Sequence, residues 1–281
     1  MSTAFFFNTK GLRKSFKMEV LKDGHPLYSG DIKVFLDHQH DLYNNTDFIE
    51  NDPISIPKQY SKKEDIEISA FITSMLAWGQ RKTIINKSNE LFALMEGAPF
   101  DFILNHKEKD RSRFSDFKHR TFNFTDTLYF IEFLQQHYRK HASLEDAFLI
   151  NGKCDSVREG LIHFNQQFFS LPFAPKRTQK HIATPARKST CKRLNMFLRW
   201  MVRKDDRAVD FGIWNRISPD QLMIPLDVHV GRVSRHFGLL DRKQNDWKAV
   251  ESLTETLAKF CPSDPVKYDY SLFSLGVDKK F

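Results

Sequence analysis

The sequence predicts an all-α fold, and three observations carry that expectation. Glycine is scarce, 11 of 281 residues, and alternating Val, Ile and Thr runs are few, which argues against sheet. Apolar residues recur at helical spacing, as at Ile68, Phe71, Ile72, Met75 and Leu76. Such segments are bounded by Asp, Thr, Gly and Pro where helices start and stop. With 41% hydrophobic and 28% charged residues, the chain can bury a core as one large domain or two helical lobes. Its 27 phenylalanines are read as core.

In chain order, a one-faced helix is expected between the polar stretch 61–64 and Leu76. Gly79-Gln80 interrupts it, and a second helix runs through Ile84, Ile85, Leu91 and Phe92 until Gly97-Ala98-Pro99 stops it. Residues 105–122 are highly charged and expected at the surface. Helices follow at 125–138, opened by Thr125 and Asp126, and at 155–169, with Val157, Leu161, Phe164 and Phe168 inward. A Pro-containing basic connector, 171–189, leads to a helix over 190–202. Residues 205–224 read as an irregular loop. Helices are then expected from Asp227 to Phe237, ended by Gly238, and over 246–259; Pro265 opens a last one at its first helical position. Residues 1–17 are read as a disordered tail or an over-called start, leaving 18–281 as the helical region.

The net charge of +8 is unevenly placed. From Gly160 to Lys204 there is no acidic residue, while Lys176, Arg177, Lys180, Arg187, Lys188, Lys192, Arg193, Arg199, Arg203 and Lys204 fall in that stretch. A one-sign run of this length creates a field that attracts polyanions, nucleic acid above all, or else it is a solvated basic face. Cys154, Cys191 and Cys261 give neither a disulfide framework nor a CxxC metal pair, which points to a reducing compartment. No apolar run approaches the roughly 20 residues that span a bilayer. The expectation is a cytoplasmic protein with no membrane partner, monomer favoured. His181, His229 and His236 make no metal constellation, and no metal is expected.

The most informative string is Ile224-Pro225-Leu226-Asp227-Val228-His229-Val230-Gly231-Arg232-Val233. Pro225 holds the chain extended, and Asp227 sits where a helix begins, able to accept backbone N–H bonds at the dipole's positive end. On local features alone, an Asp there is an ordinary N-cap.

This string resembles the P-[LV]-D-x-[HR]-[VI]-x-R-[VL] segment of the helix–hairpin–helix (HhH-GPD) DNA glycosylase superfamily, whose Asp is the catalytic carboxylate; Gly238-Leu239 fits the close of that helix. Phe71 to Gln80, followed by Asn86-Lys87, is similar to the superfamily's early "LS-x-Q … NK" stretch. Asp269 to Gly276 is similar to its final "ALxxLG" helix. Lys192-Arg193-Leu194-Asn195-Met196-Phe197-Leu198-Arg199 resembles the "K-x-A-S-x-F-L-R" helix of the 8-oxoguanine glycosylase/lyase branch, whose Lys is the nucleophile. The nearest resemblance is to an uncharacterised bacterial family related to these, carried by residues 52–67, 192–205 and 264–276.

The resemblance implies a two-lobed helical bundle with DNA N-glycosylase activity, and an abasic-site lyase activity if Lys192 is the nucleophile, on a damaged base such as an oxidised purine in double-stranded DNA. It makes Asp227 and Lys192 catalytic and Gln80, Arg187, Lys188, Ser189, Thr190, Arg193, His229 and Arg232 nucleic-acid contacts, with no cofactor. Lys192 stays open between nucleophile and phosphate contact. Two other functions stay open as well: an N-glycosidase on a modified nucleoside or RNA, and a non-catalytic nucleic-acid-binding protein. The usual hairpin L-P-G-[VI]-G is replaced by Ala183-Thr184-Pro185-Ala186-Arg187-Lys188-Ser189-Thr190-Cys191, with no glycine to let backbone amides approach a phosphate. The four-cysteine iron–sulfur motif of the endonuclease III branch is absent from the sequence.

Overall fold

The computed structural model describes residues 18–20, 26–28 and 31–277. The expectation for residues 1–17 lies outside them. Helix dominates: α1 (Ile32–Tyr43), α2 (Asp47–Glu50), α3 (Lys63–Leu76), α4 (Arg81–Leu94), α5 (Pro99–Asn105), α6 (Phe124–Tyr138), α7 (Val157–Phe168), α8 (Lys192–Val202), α9 (Val228–His236), α10 (Trp247–Ala258) and α11 (Asp269–Val277). Short 3₁₀ turns and two short antiparallel pairs, β1 (Met18–Val20) with β2 (Pro26–Tyr28) and β3 (Lys118–His119) with β4 (Phe122–Asn123), accompany the helices. The all-α expectation holds.

α3 and α8 pack against each other at the centre. Every residue of α3 from Ile66 to Leu76, and of α8 from Leu194 to Val202, is buried. The one-faced helix expected over Ile68 to Leu76 is therefore a core helix covered on all sides. Its buried carboxylate is satisfied: Glu67 accepts bonds from Tyr138 Oη, Ser143 Oγ, the Leu144 amide and Trp214 Nε1 at 2.6–2.9 Å. A buried charge is tolerated only with such compensation. Phe71 is ringed by Phe130, Phe164, Phe168 and Phe197, with ring centroids 5.5–6.2 Å apart. Edge and offset contacts of this kind suit the aromatic quadrupole.

Three expectations are corrected. Residues 105–122 are not simply surface, because Phe114, Phe117 and Phe122 carry that charged stretch down into the core. Pro99 does not only end α4; it occupies the first turn of α5. The segment opened by Pro265 begins as a 3₁₀ turn, Pro265–Tyr268, before α11 takes over.

α1 joins the last helices although it is far from them in sequence. Ser271 Oγ donates to the Leu36 carbonyl at 2.7 Å, and Tyr268 Oη donates to Asp37 at 3.0 Å. One continuous set of buried apolar side chains runs from Phe35 to Leu275. No helix among the described residues is long and apolar enough to cross a membrane.

Candidate active site

Four helices, α4, α8, α9 and α11, begin at one cleft. α3 ends at Leu76, and Gly79, at φ +109°, turns the chain so that α4 starts with Arg81 facing it. α8 starts there with Lys192, and α9 starts there with Val228 behind the cap Asp227. The cleft has a volume of about 850 Å³. Phe48, Pro53, Trp78, Ile84, Met196 and Phe273 supply apolar walls.

Asp227 caps α9 with one oxygen. Its Oδ1 accepts the amides of His229 at 2.8 Å and Val230 at 2.9 Å. Its Oδ2 has no protein hydrogen-bond partner among the described residues, and the half-buried carboxylate lines the cleft. The cap and the cleft group are thus the same side chain, with its two oxygens divided between the roles.

Lys192 lies in the same cleft, half-buried. Its Nζ stands 3.7 Å from Met196 Sδ and 5.9 Å from the centre of the Phe273 ring, and it joins no ion pair among the described residues. Arg81 has a similar setting, its guanidinium 5.1 Å from the Phe273 ring and 6.0 Å from that of Phe48.

Two further carboxylates, which the motif reading missed, share the cleft. Asp269 opens α11, is buried, and pairs with Arg199. Burial pushes its carboxyl up to about 6; Arg199 and Lys192 oppose that shift and Asp227 adds to it. Asp52, 8% exposed, caps the short turn Pro53–Ser55 through Oδ1, which accepts the Ile54 amide at 3.1 Å. Burial raises its carboxyl as well, against the Ile54 amide, Arg81, Arg199 and Lys192. The available signals were Asp-Pro at 52–53 and a lone carboxylate entering an otherwise apolar last helix.

Gln80 stands exposed at the rim, at the cap position of α4 without bonding its amides. Thr190 and His229 line the cleft, and the His229 ring bonds the Gly276 carbonyl at 3.2 Å. Arg232 donates to that same carbonyl at 2.7 Å, so it serves the C-terminal end of α11 and lies outside the cleft lining. α9 and α11 approach closely at this point, where a Cβ on Gly276 would stand 2.8 Å from His229 Cβ.

Arg193 is engaged by the protein itself. Its guanidinium donates to the carbonyls of Met75, Lys180 and His181 and lies 4.9 Å from the Trp78 ring. Desolvation lowers its pKa to about 10. Trp78 is also flanked by His181, stacked at 5.7 Å, and by His119 edge-on at 5.0 Å.

The hairpin before α8 lacks glycine but keeps left-handed backbone. Lys188 (φ 60°) and Cys191 (φ 50°) bracket Ser189 and Thr190 in that conformation. Arg187 and Lys188 are exposed, and the Lys188 carbonyl accepts the Trp247 amide at 3.1 Å. Ser189 Oγ accepts the Cys191 amide at 3.2 Å.

Fold and cleft together define a helical protein with a mixed-charge pocket built on four helix N-termini. The chain belongs to the DUF2400 family, described as a protein of unknown function, whose model matches residues 52–278. No curated protein and no solved structure matches it.

Proposed function

We propose that this protein is a DNA N-glycosylase of the helix–hairpin–helix type that removes a damaged base, with Asp227 as the group that stabilises the sugar cation. The observation that carries the reading is the divided carboxylate of Asp227: one oxygen anchored on α9, the other unpartnered at a cleft shared with Lys192 and Gln80. Breaking an N-glycosidic bond builds positive charge at C1′, and a fixed carboxylate beside it lowers that charge's energy without reorganising. The base must first leave the duplex, which costs a few kcal/mol. The exposed Arg187 and Lys188, on the hairpin that leads into α8, are placed to hold phosphates.

Lys192, in its apolar setting beside Met196 and Phe273, is read as the amine that attacks C1′ in a lyase step. The test is single-turnover base release from duplexes carrying one damaged base each, using wild type, Asp227→Asn and Lys192→Gln, with borohydride trapping alongside. Base release by wild type that Asp227→Asn loses supports the reading, and a trapped adduct that Lys192→Gln abolishes assigns the nucleophile. Release from free nucleosides or RNA but not from duplex would instead favour those substrates. Salt-dependent duplex binding, unchanged in Asp227→Asn and without any base release, would mark a binding protein.

A further inference from the structure

Three carboxylates line the cleft, and each is held differently. Asp269 is committed to Arg199. Asp227 has its Oδ1 on two backbone amides at a helix N-terminus. Asp52 is the more enclosed of the two cleft carboxylates left without an ion pair. It is 8% exposed, its Oδ1 accepts one amide, and its Oδ2 has no protein partner among the described residues. That oxygen belongs to a residue of the cleft wall and is free to bond a ligand atom there.

Resting on the glycosylase reading above, we infer that Asp52 is the general acid of the site, donating a proton from its carboxyl to the departing base while Asp227 faces the sugar. Two carboxylates in one cleft, one held on helix amides and the other enclosed by protein, is an arrangement that can divide acid from electrostatic stabiliser. The burial that raises the Asp52 carboxyl acts in the direction this role needs.

The step balances. The C1′–N bond breaks and its electron pair leaves with the base; the Asp52 proton moves to a ring nitrogen of that base, so it departs neutral. Water, or in the lyase step the Lys192 amine, then bonds C1′ and releases a proton, which restores the Asp52 carboxyl. The substrate class that profits is a neutral purine lesion, whose unprotonated anion is a poor leaving group. A base that already carries a positive charge gains nothing from the acid.

The experiment compares duplexes with a single hypoxanthine, 8-oxoguanine or 7-methylguanine, the last a cationic base, under single turnover from acid to alkaline pH. The enzymes are wild type, Asp52→Asn and Asp227→Asn. Asn at 52 can still accept the Ile54 amide, and a thermal melt checks that Asp52→Asn folds. The expected result is a loss of about 10²–10⁴-fold in release of the neutral purines by Asp52→Asn. In wild type the neutral-purine rate falls as pH rises through the acid's pKa; in Asp52→Asn that alkaline fall disappears, and 7-methylguanine release is unchanged.

An equal loss on neutral and cationic bases, an alkaline limb retained in Asp52→Asn, or wild type acting on 7-methylguanine alone overturns the assignment. If Asp227→Asn abolishes release while Asp52→Asn matches wild type throughout, Asp52 fails and the glycosylase reading stands. If wild type releases no base from any duplex, both fall.

Discussion

The two ends of α8 carry the same kind of residue and use it in opposite ways. At the N-terminal end, Lys192 faces the cleft with no carboxylate bonded to it. At the C-terminal end, Arg199 and Arg203 are buried in a closed network with Asp210, Asp205, Asp264 and Asp269, over the ring of Tyr270. Tyr270 Oη donates to Asp210 at 2.8 Å. A cation near an ion-pair network is structural, whereas a cation kept among apolar side chains at a cavity is available for chemistry. The acid-free run from Gly160 to Lys204 therefore overstates the outward field. Arg177, Arg193, Arg199 and Arg203 are engaged by internal carboxylates, amides or carbonyls, while Lys176, Lys180, Arg187, Lys188 and Lys204 stay exposed.

The sharpest way to break this contrast is to truncate each end. Arg199→Ala leaves Asp269 buried without its cation and Asp210 with Arg203 alone, and is expected to cost about 3–5 kcal/mol in urea unfolding. Lys192→Gln is expected to stay within about 0.5 kcal/mol of wild type in the same measurement. Equal losses would erase the distinction between the two ends.

Acid tests the paired end next. Burial, helped by Arg203 and Lys267, lowers the His40 imidazole to about 4. A depressed histidine contributes stability that is complete above its unfolded value near 6.5 and is lost as pH falls toward 4, up to about 3 kcal/mol. Asp269, raised to about 6, has the opposite sign: its contribution is present at low pH and lost as pH rises through 6. Melting from pH 7 to 4 with wild type and His40→Gln separates them, since only the histidine's acid loss disappears in the variant.

A smaller effect, about 1–3 kcal/mol, is expected for Gly276→Ala, which forces α11 away from His229 on the helix that carries Asp227. The smallest concerns the exposed cations. Arg187→Gln and Lys188→Gln should each lower the salt slope of duplex binding by about one, with stability unchanged.

Much of the fold was legible because its signals are local. Asp227 and Asp246 cap their helices, whereas α6 is capped by Asn123 with Asp126 in its first turn; the helical spacing located α3, α4, α6, α7, α8, α9 and α10 to within a few residues. α1 was missed: its apolar residues are interleaved with His38, His40 and Asp37, and their partners lie more than 200 residues away. For the site, the motif placed Asp227, Lys192, Gln80, Thr190, Arg193 and His229 in one cleft lining, but spacing could not show that Arg193 is bound by carbonyls. Asp52 and Asp269 escaped because burial gives them their character, and burial is a property of the assembled chain.

The family match begins at residue 52, whereas α1 ends at Tyr43. A fragment cut at that boundary would keep every segment by which the family is recognised and yet strip the surface on which α11 rests. Ser271 and Tyr268 would lose Leu36 and Asp37, and the helix presenting Asp269 and Phe273 would have water on the side now covered by α1. The unit of recognition in this protein is therefore shorter than the unit that folds, and an expression series trimmed to the former will report on a damaged pocket.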